Sequence, residues 1–117
     1  MKKILALAVV SLSAVVSLNA SADSKIEAGK AAVAKYNCAS CHGADFKTPI
    51  DPAYPTLAGQ HKDYLKHALV AYKRGNTVSN GRTNAIMSPI AKQLSNQDIA
   101  NIAAYLHSLP SPLVVRR

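Results

Sequence analysis

The sequence predicts an all-α domain: three main helices joined by long loops that wrap around a single bound group. Three observations predict it. Apolar residues recur at helical spacing in three segments, and no segment alternates with the period of a strand. The two connections between those segments are long and carry prolines, a length that compact domains reserve for loops that are functional or packed on something. Finally, a chain of 117 residues with only two cysteines, close neighbours, cannot staple distant parts of itself together, so a small core must be completed in another way.

The chain opens on Met1-Lys2-Lys3, continues with the apolar run from Ile4 to Leu18, and reaches the small residues Ala20-Ser21-Ala22. That is the three-part layout of a secretory signal, shorter than the roughly 20 apolar residues of a membrane span. Cleavage after Ala22 is expected, with Ala20 as the alternative site, residues 1–22 as leader and 23–117 as one soluble domain. Losing Lys2 and Lys3 lowers the formal charge from +8 to +6. A two-lobed enzyme is excluded by length, and a membrane span is not expected once the leader is gone.

The first helix is expected over Ser24–Asn37, where Ile26, Gly29, Ala32, Val33 and Tyr36 share one arc. The second is expected over Gln60–Arg74, with Tyr64, Leu65, Ala68, Leu69 and Tyr72 on one arc, Lys62, Lys66 and Lys73 striped beside it, and Gly75 as its stop. Ser95-Asn96-Gln97-Asp98 forms a capping box, with Asp in the place of Glu, for the third. That helix carries Ile99, Ile102, Ala103, Tyr105, Leu106 and Leu109 on one face and ends at Pro110 and Pro112. Between these lie two expected loops, Gly43–Gly59 with three prolines and Gly75–Leu94 with Pro89.

Cys38-Ala39-Ser40-Cys41-His42 carries the chemistry, as a c-type haem attachment motif. Two thiols three residues apart at the end of a helix can add to the two vinyl groups on one side of a haem, and the next residue, His42, then lies under the iron. A redox thiol pair would sit between a strand and a helix, and zinc would need a second cysteine pair; neither context is present.

With these residues in view, the chain resembles the class I c-type cytochromes, the small soluble monohaem kind found in bacteria. The resemblance spans nearly all of 23–117: a helix running into Cys38, a proline-rich loop, a middle helix, a methionine loop and a final helix. It implies the cytochrome c-like fold around one haem c, held by thioethers from Cys38 and Cys41. Met87, in Asn84-Ala85-Ile86-Met87-Ser88-Pro89, is the only methionine left once Met1 departs with the leader, so it is the expected second iron ligand beside His42. The alternatives for that position are a histidine or an open site; His61, His67 and His107 fall outside the apolar arcs and read as surface residues, His61 as a helix cap.

The resemblance also implies that Tyr54-Pro55-Thr56-Leu57-Ala58-Gly59 is the family's proximal loop, in which the Pro55 carbonyl accepts a hydrogen bond from His42 and orients its ring. It implies a close crossing of the first and last helices at Gly29 and Tyr105. The family often has an aromatic residue four after that glycine; Val33 stands here, with Tyr36 as the expected substitute. Arg82 and Asn84 are candidates to contact a haem propionate or the methionine sulfur, the alternative for Arg82 being an exposed loop residue. Tyr64 and Tyr72 are candidates to line the pocket, the alternative being an ordinary apolar helix face.

The implied function is single-electron carriage between respiratory redox partners in the periplasm, without enzymatic activity. Excess positive charge points to acidic-surfaced partners, whether oxidase, reductase or dehydrogenase, and no nucleic-acid motif is present. A monomer is expected. The rival functions are a haem subunit of a larger oxidoreductase, a haem enzyme or gas sensor with an open distal site, and a thiol oxidoreductase.

Overall fold

The computed structural model describes residues 14–112. The basic start and much of the apolar run of the expected leader lie outside the described residues. The described chain consists of α1 (Ala14–Lys35), α2 (Ala39–His42), α3 (Lys62–Arg74), a 3₁₀ turn (Gly75–Thr77), α4 (Met87–Gln93) and α5 (Asn96–Ser108), with no strand among the described residues. The three expected helices are therefore α1, α3 and α5.

α1 begins earlier than Ser24, so Ala22 lies inside a continuous helix. Residues 20–25 are exposed, and the buried side of α1 starts with half-buried Ile26 and buried Gly29. At its other end Asn37 takes the left-handed conformation (φ 54°). The Asn37 N–H donates to the Ala34 carbonyl at 3.2 Å and the Cys38 N–H to the Val33 carbonyl at 3.0 Å. This pair of bonds is the Schellman closure, which asparagine tolerates because αL costs it less than other side-chain-bearing residues.

α1 packs chiefly on α5, and α3 packs on α4 and α5. Gly29 sets the first crossing: a Cβ there would lie 2.0 Å from the Asn101 carbonyl oxygen and 2.6 Å from Tyr105 Cβ. Tyr105 meets Phe46 edge to face, with ring centroids 6.2 Å apart. Phe46, the only phenylalanine, is 3% exposed and joins Ala32, Val33, Leu65, Leu94, Ile99, Ile102 and Leu106 in the core. Burying a side chain such as Ile99 or Leu106 stabilises by about 1.5–3 kcal/mol. The aromatic packed on Tyr105 is thus Phe46 from the loop. Tyr36 instead donates its hydroxyl to Asp98 Oδ2 at 3.0 Å, joining the end of α1 to the start of α5.

The structure departs from expectation in the second connection. Residues 75–94 are not one long loop but hold the 3₁₀ turn and α4. Pro89 is accommodated because it lies in the first turn of α4, where no intrahelical N–H bond is lost. Lys73 belongs less to a solvated stripe than expected: it is half-buried and donates its Nζ to the Leu94 carbonyl at the end of α4. His61 occupies the N-cap position of α3, but its side chain makes no capping bond.

Candidate functional site

The Schellman turn that ends α1 delivers the chain directly into α2. In this single turn the His42 N–H donates to the Cys38 carbonyl (3.1 Å) and the Gly43 N–H to the Ala39 carbonyl (2.9 Å). Residues three and four apart on a helix share a face, so Cys38, Cys41 and His42 are presented together. Gly43 then turns the chain away with φ 87°, and a Cβ there would come within 2.2 Å of the Thr48 carbonyl oxygen. Only glycine permits that turn so soon after His42.

His42 is buried, and its Nδ1 lies 2.9 Å from the Pro55 carbonyl oxygen. A carbonyl only accepts, so Nδ1 carries the proton and Nε2 keeps its lone pair free. The Pro55 loop is anchored on both sides. The Tyr54 N–H donates to the Asp51 carbonyl at 3.0 Å, and the Leu57 and Ala58 N–H groups both donate to the Phe46 carbonyl, at 2.9 and 3.0 Å. Phe46 itself has a left-handed backbone (φ 56°), so its buried ring and its carbonyl together hold the loop that orients His42.

A cavity of ≈ 570 Å³ joins these groups. Cys38, Cys41, His42 and Pro55 line it, and so do Met87, Arg82 and Asn84 from the segment around the start of α4. Tyr64 and Tyr72 line it from α3; His61, His67 and His107 are exposed and are not among its lining residues. His107 Nδ1 instead lies 2.8 Å from the Gln60 carbonyl oxygen.

The residues fit a haem. The volume lies within the roughly 300–1,000 Å³ of cofactor pockets, and the core residues Leu65, Leu94, Ile102 and Leu106 also form its lining. A mostly apolar lining with a few converging polar groups is what a large apolar cofactor requires. The two cysteines are free thiols, both partly buried. Burial pushes the Cys38 thiol up, an effect the neighbouring Cys41 reinforces against an opposing backbone hydrogen bond.

Arg82 and Asn84 have partners of their own. The Arg82 guanidinium lies 5.3 Å from the Tyr72 ring centroid. The neighbouring Tyr64 and Tyr72 side chains push its pKa up, so it holds a positive charge at the cavity. Asn84 Oδ1 accepts from the backbone N–H groups of Ile86 and Met87, each at 2.9 Å. Sequence reasoning missed Ile90 and Leu94, which line the cavity beside Met87. Their signal was present: 87, 90, 91 and 94 have helical spacing, masked by Pro89. Phe46 carried no comparable signal, since a single aromatic residue within a loop has no periodicity.

The cytochrome c family model matches residues 26–110. Cytochrome c-554(548) of Halomonas halodenitrificans is 44% identical over 71 residues, covering 61% of this chain and 82% of that protein. Cytochrome c4 of Azotobacter vinelandii is 38% identical over 81 residues, covering 69% of this chain but 38% of its own length. The thiosulfate dehydrogenase electron acceptor of Stutzerimonas stutzeri is 37% identical over 84 residues, 72% of this chain and 37% of that protein. The chain thus spans most of the first relative and less than two fifths of the other two. Motif, fold and cavity agree with these similarities: the chain belongs to the cytochrome c family, its prosthetic group is haem c, and Cys38, Cys41 and His42 fit the family's attachment motif.

Proposed function

We propose that this electron-carrier cytochrome works in the periplasm, after removal of residues 1–22, as a carrier of single electrons rather than an enzyme, with His42 and Met87 as its two iron ligands. The observation that carries the reading is the shared cavity: the imidazole and the mature chain's sole thioether line the same space as both attachment cysteines. Bound there, haem supplies a reversible one-electron iron couple. The protein's part is to hold and to orient. Pro55 keeps the proton on His42 Nδ1, so Nε2 is the donor atom. Met87 offers a soft neutral donor that favours the ferrous state. Leu65, Leu94, Ile102 and Leu106 give the cavity an apolar wall, while Arg82, over the Tyr72 ring, offers a positive charge to a propionate.

The net positive charge suits an acidic partner surface. The relative named as a thiosulfate dehydrogenase electron acceptor supports a dehydrogenase as electron donor. The test is a visible spectrum of the exported protein, oxidised and reduced, followed by carbon monoxide. We expect a low-spin reduced spectrum, a ferric methionine–iron charge-transfer band and no response to carbon monoxide. A high-spin spectrum that shifts with carbon monoxide would instead establish an open iron and the enzyme or sensor reading. A colourless product from a host competent in haem attachment would remove both.

A further inference from the structure

The segment that brings Met87 to the cavity is tied at its start, where the Arg82 N–H donates to the Ala71 carbonyl at 2.9 Å and the guanidinium lies over the Tyr72 ring. Beyond it residues 83–86 are exposed, Asn84 and Ile86 along the cavity they line, and Ile86, the N-cap residue of α4, makes no side-chain capping bond. The orphan N–H groups at the start of α4 are met from elsewhere. Asn84 Oδ1 accepts from the Ile86 and Met87 N–H groups, each at 2.9 Å. The Ser88 N–H donates to the Asn84 carbonyl at 3.0 Å, and the Asn84 N–H donates to Ser88 Oγ at 3.0 Å. Ser88 is itself buried, so the far side of this ring of bonds is anchored. Four hydrogen bonds thus close residues 84–88 into a clasp centred on Met87.

We propose that Asn84 is the positioning residue of Met87: its side-chain oxygen, with Ser88 completing the clasp, fixes the backbone from which the thioether reaches the iron. This rests on Met87 being the second ligand. Asn84 then acts through the Met87 backbone and needs no contact with the haem. Its conformational role also explains the residue type. A short side chain ending in an acceptor can satisfy N–H groups two and three residues ahead, as in an Asx turn, and alanine has no atom to do so. With the clasp intact, an unligated sulfur stays beside its site; with it broken, the segment 83–86 is free to carry Met87 away from the anchored Arg82.

The experiment compares haem-loaded wild type with N84A, N84D and S88A, reading the ferric methionine–iron band and the uptake of carbon monoxide by the ferrous protein. N84A is expected to weaken the band and to raise the carbon monoxide-binding population about ten-fold, the factor corresponding to roughly 1.4 kcal/mol, within reach of two lost hydrogen bonds. N84D keeps the acceptor oxygen and is expected to match wild type. Should N84A fail to fold, S88A decides: losing one bond, it is expected to raise uptake about three-fold. N84A, or S88A in its place, indistinguishable from wild type overturns the proposal, as does N84D as open as N84A. Wild type that itself binds carbon monoxide at once overturns the Met87 ligation beneath it, a separate and recognisable failure.

Discussion

Gly29 shows how a missing methyl group sets the distance between two helices. In an isolated helix, alanine would be the better residue by about 1 kcal/mol. Here its Cβ would sit 2.0 Å from the Asn101 carbonyl oxygen, in backbone that cannot give way by rotating a side chain. G29A is therefore expected to destabilise the holoprotein by about 2 kcal/mol net, the scale of overpacking in a tight contact. Thermal unfolding measures it, and a raised Tm would mean that α1 and α5 do not touch there. His42 is a second case of one atom deciding an outcome. The sequence motif supplies the imidazole, but the Pro55 carbonyl at 2.9 Å decides which ring nitrogen is left to donate.

The helices differ in how much of their definition is local. α5 is the most self-sufficient: the Ser95 side chain accepts from the Asp98 N–H at 3.0 Å, and Asp98 Oδ2 accepts from the Ser95 N–H at 3.0 Å. The Ser95 backbone bond is the chief cause that holds the Asp98 carboxyl below its usual value, with the Ser95 and Tyr36 hydroxyls and Lys35 adding to it against a small cost of burial. A carboxylate with a depressed folded-state pKa contributes stability above its unfolded value near 3.9, and loses it as pH falls through the folded value. Stability of the wild type should therefore fall with acid below about pH 4–5, and D98N should flatten that fall. It will not abolish it, because the exposed Asp45 is lowered too, chiefly by the Lys47 and Thr48 N–H groups. Chemical denaturation at stepped pH tests this; parallel curves for wild type and D98N would show that the capping box carries no pH dependence.

α4 is the opposite case. Its apolar spacing over 87–94 resembles the other helices, yet Pro89 makes the segment read as a loop. The structure resolves the conflict by starting the helix at Met87, so that proline falls where no backbone donor is required. The clasp that anchors this start is a side chain meeting backbone N–H groups, and such a bond leaves no period in the sequence.

At the scale of the whole molecule, charge and cavity divide the work. The chain carries an excess of lysine and arginine, with Lys62 and Lys66 exposed on α3. Electrostatic steering by such a surface is screened over a Debye length of about 8 Å at physiological salt. Association with an acidic redox partner is therefore expected to slow as ionic strength rises, by about ten-fold or more between low and high salt. Stopped-flow electron transfer would measure this, and a rate independent of salt would remove the acidic partner.

The sequence by itself determined the all-α class, the three main helices, the attachment motif and the identity of the candidate ligands. These depend on spacing along the chain: helical periodicity, a thiol pair three apart, one remaining methionine. Only the tertiary structure decided that Phe46 rather than Tyr36 packs on Tyr105, that α4 exists, and that Asn84 holds Met87 by its backbone. Each of those depends on contacts closed through space, where one carbonyl or one ring has several possible partners and the packing of the whole chain selects among them.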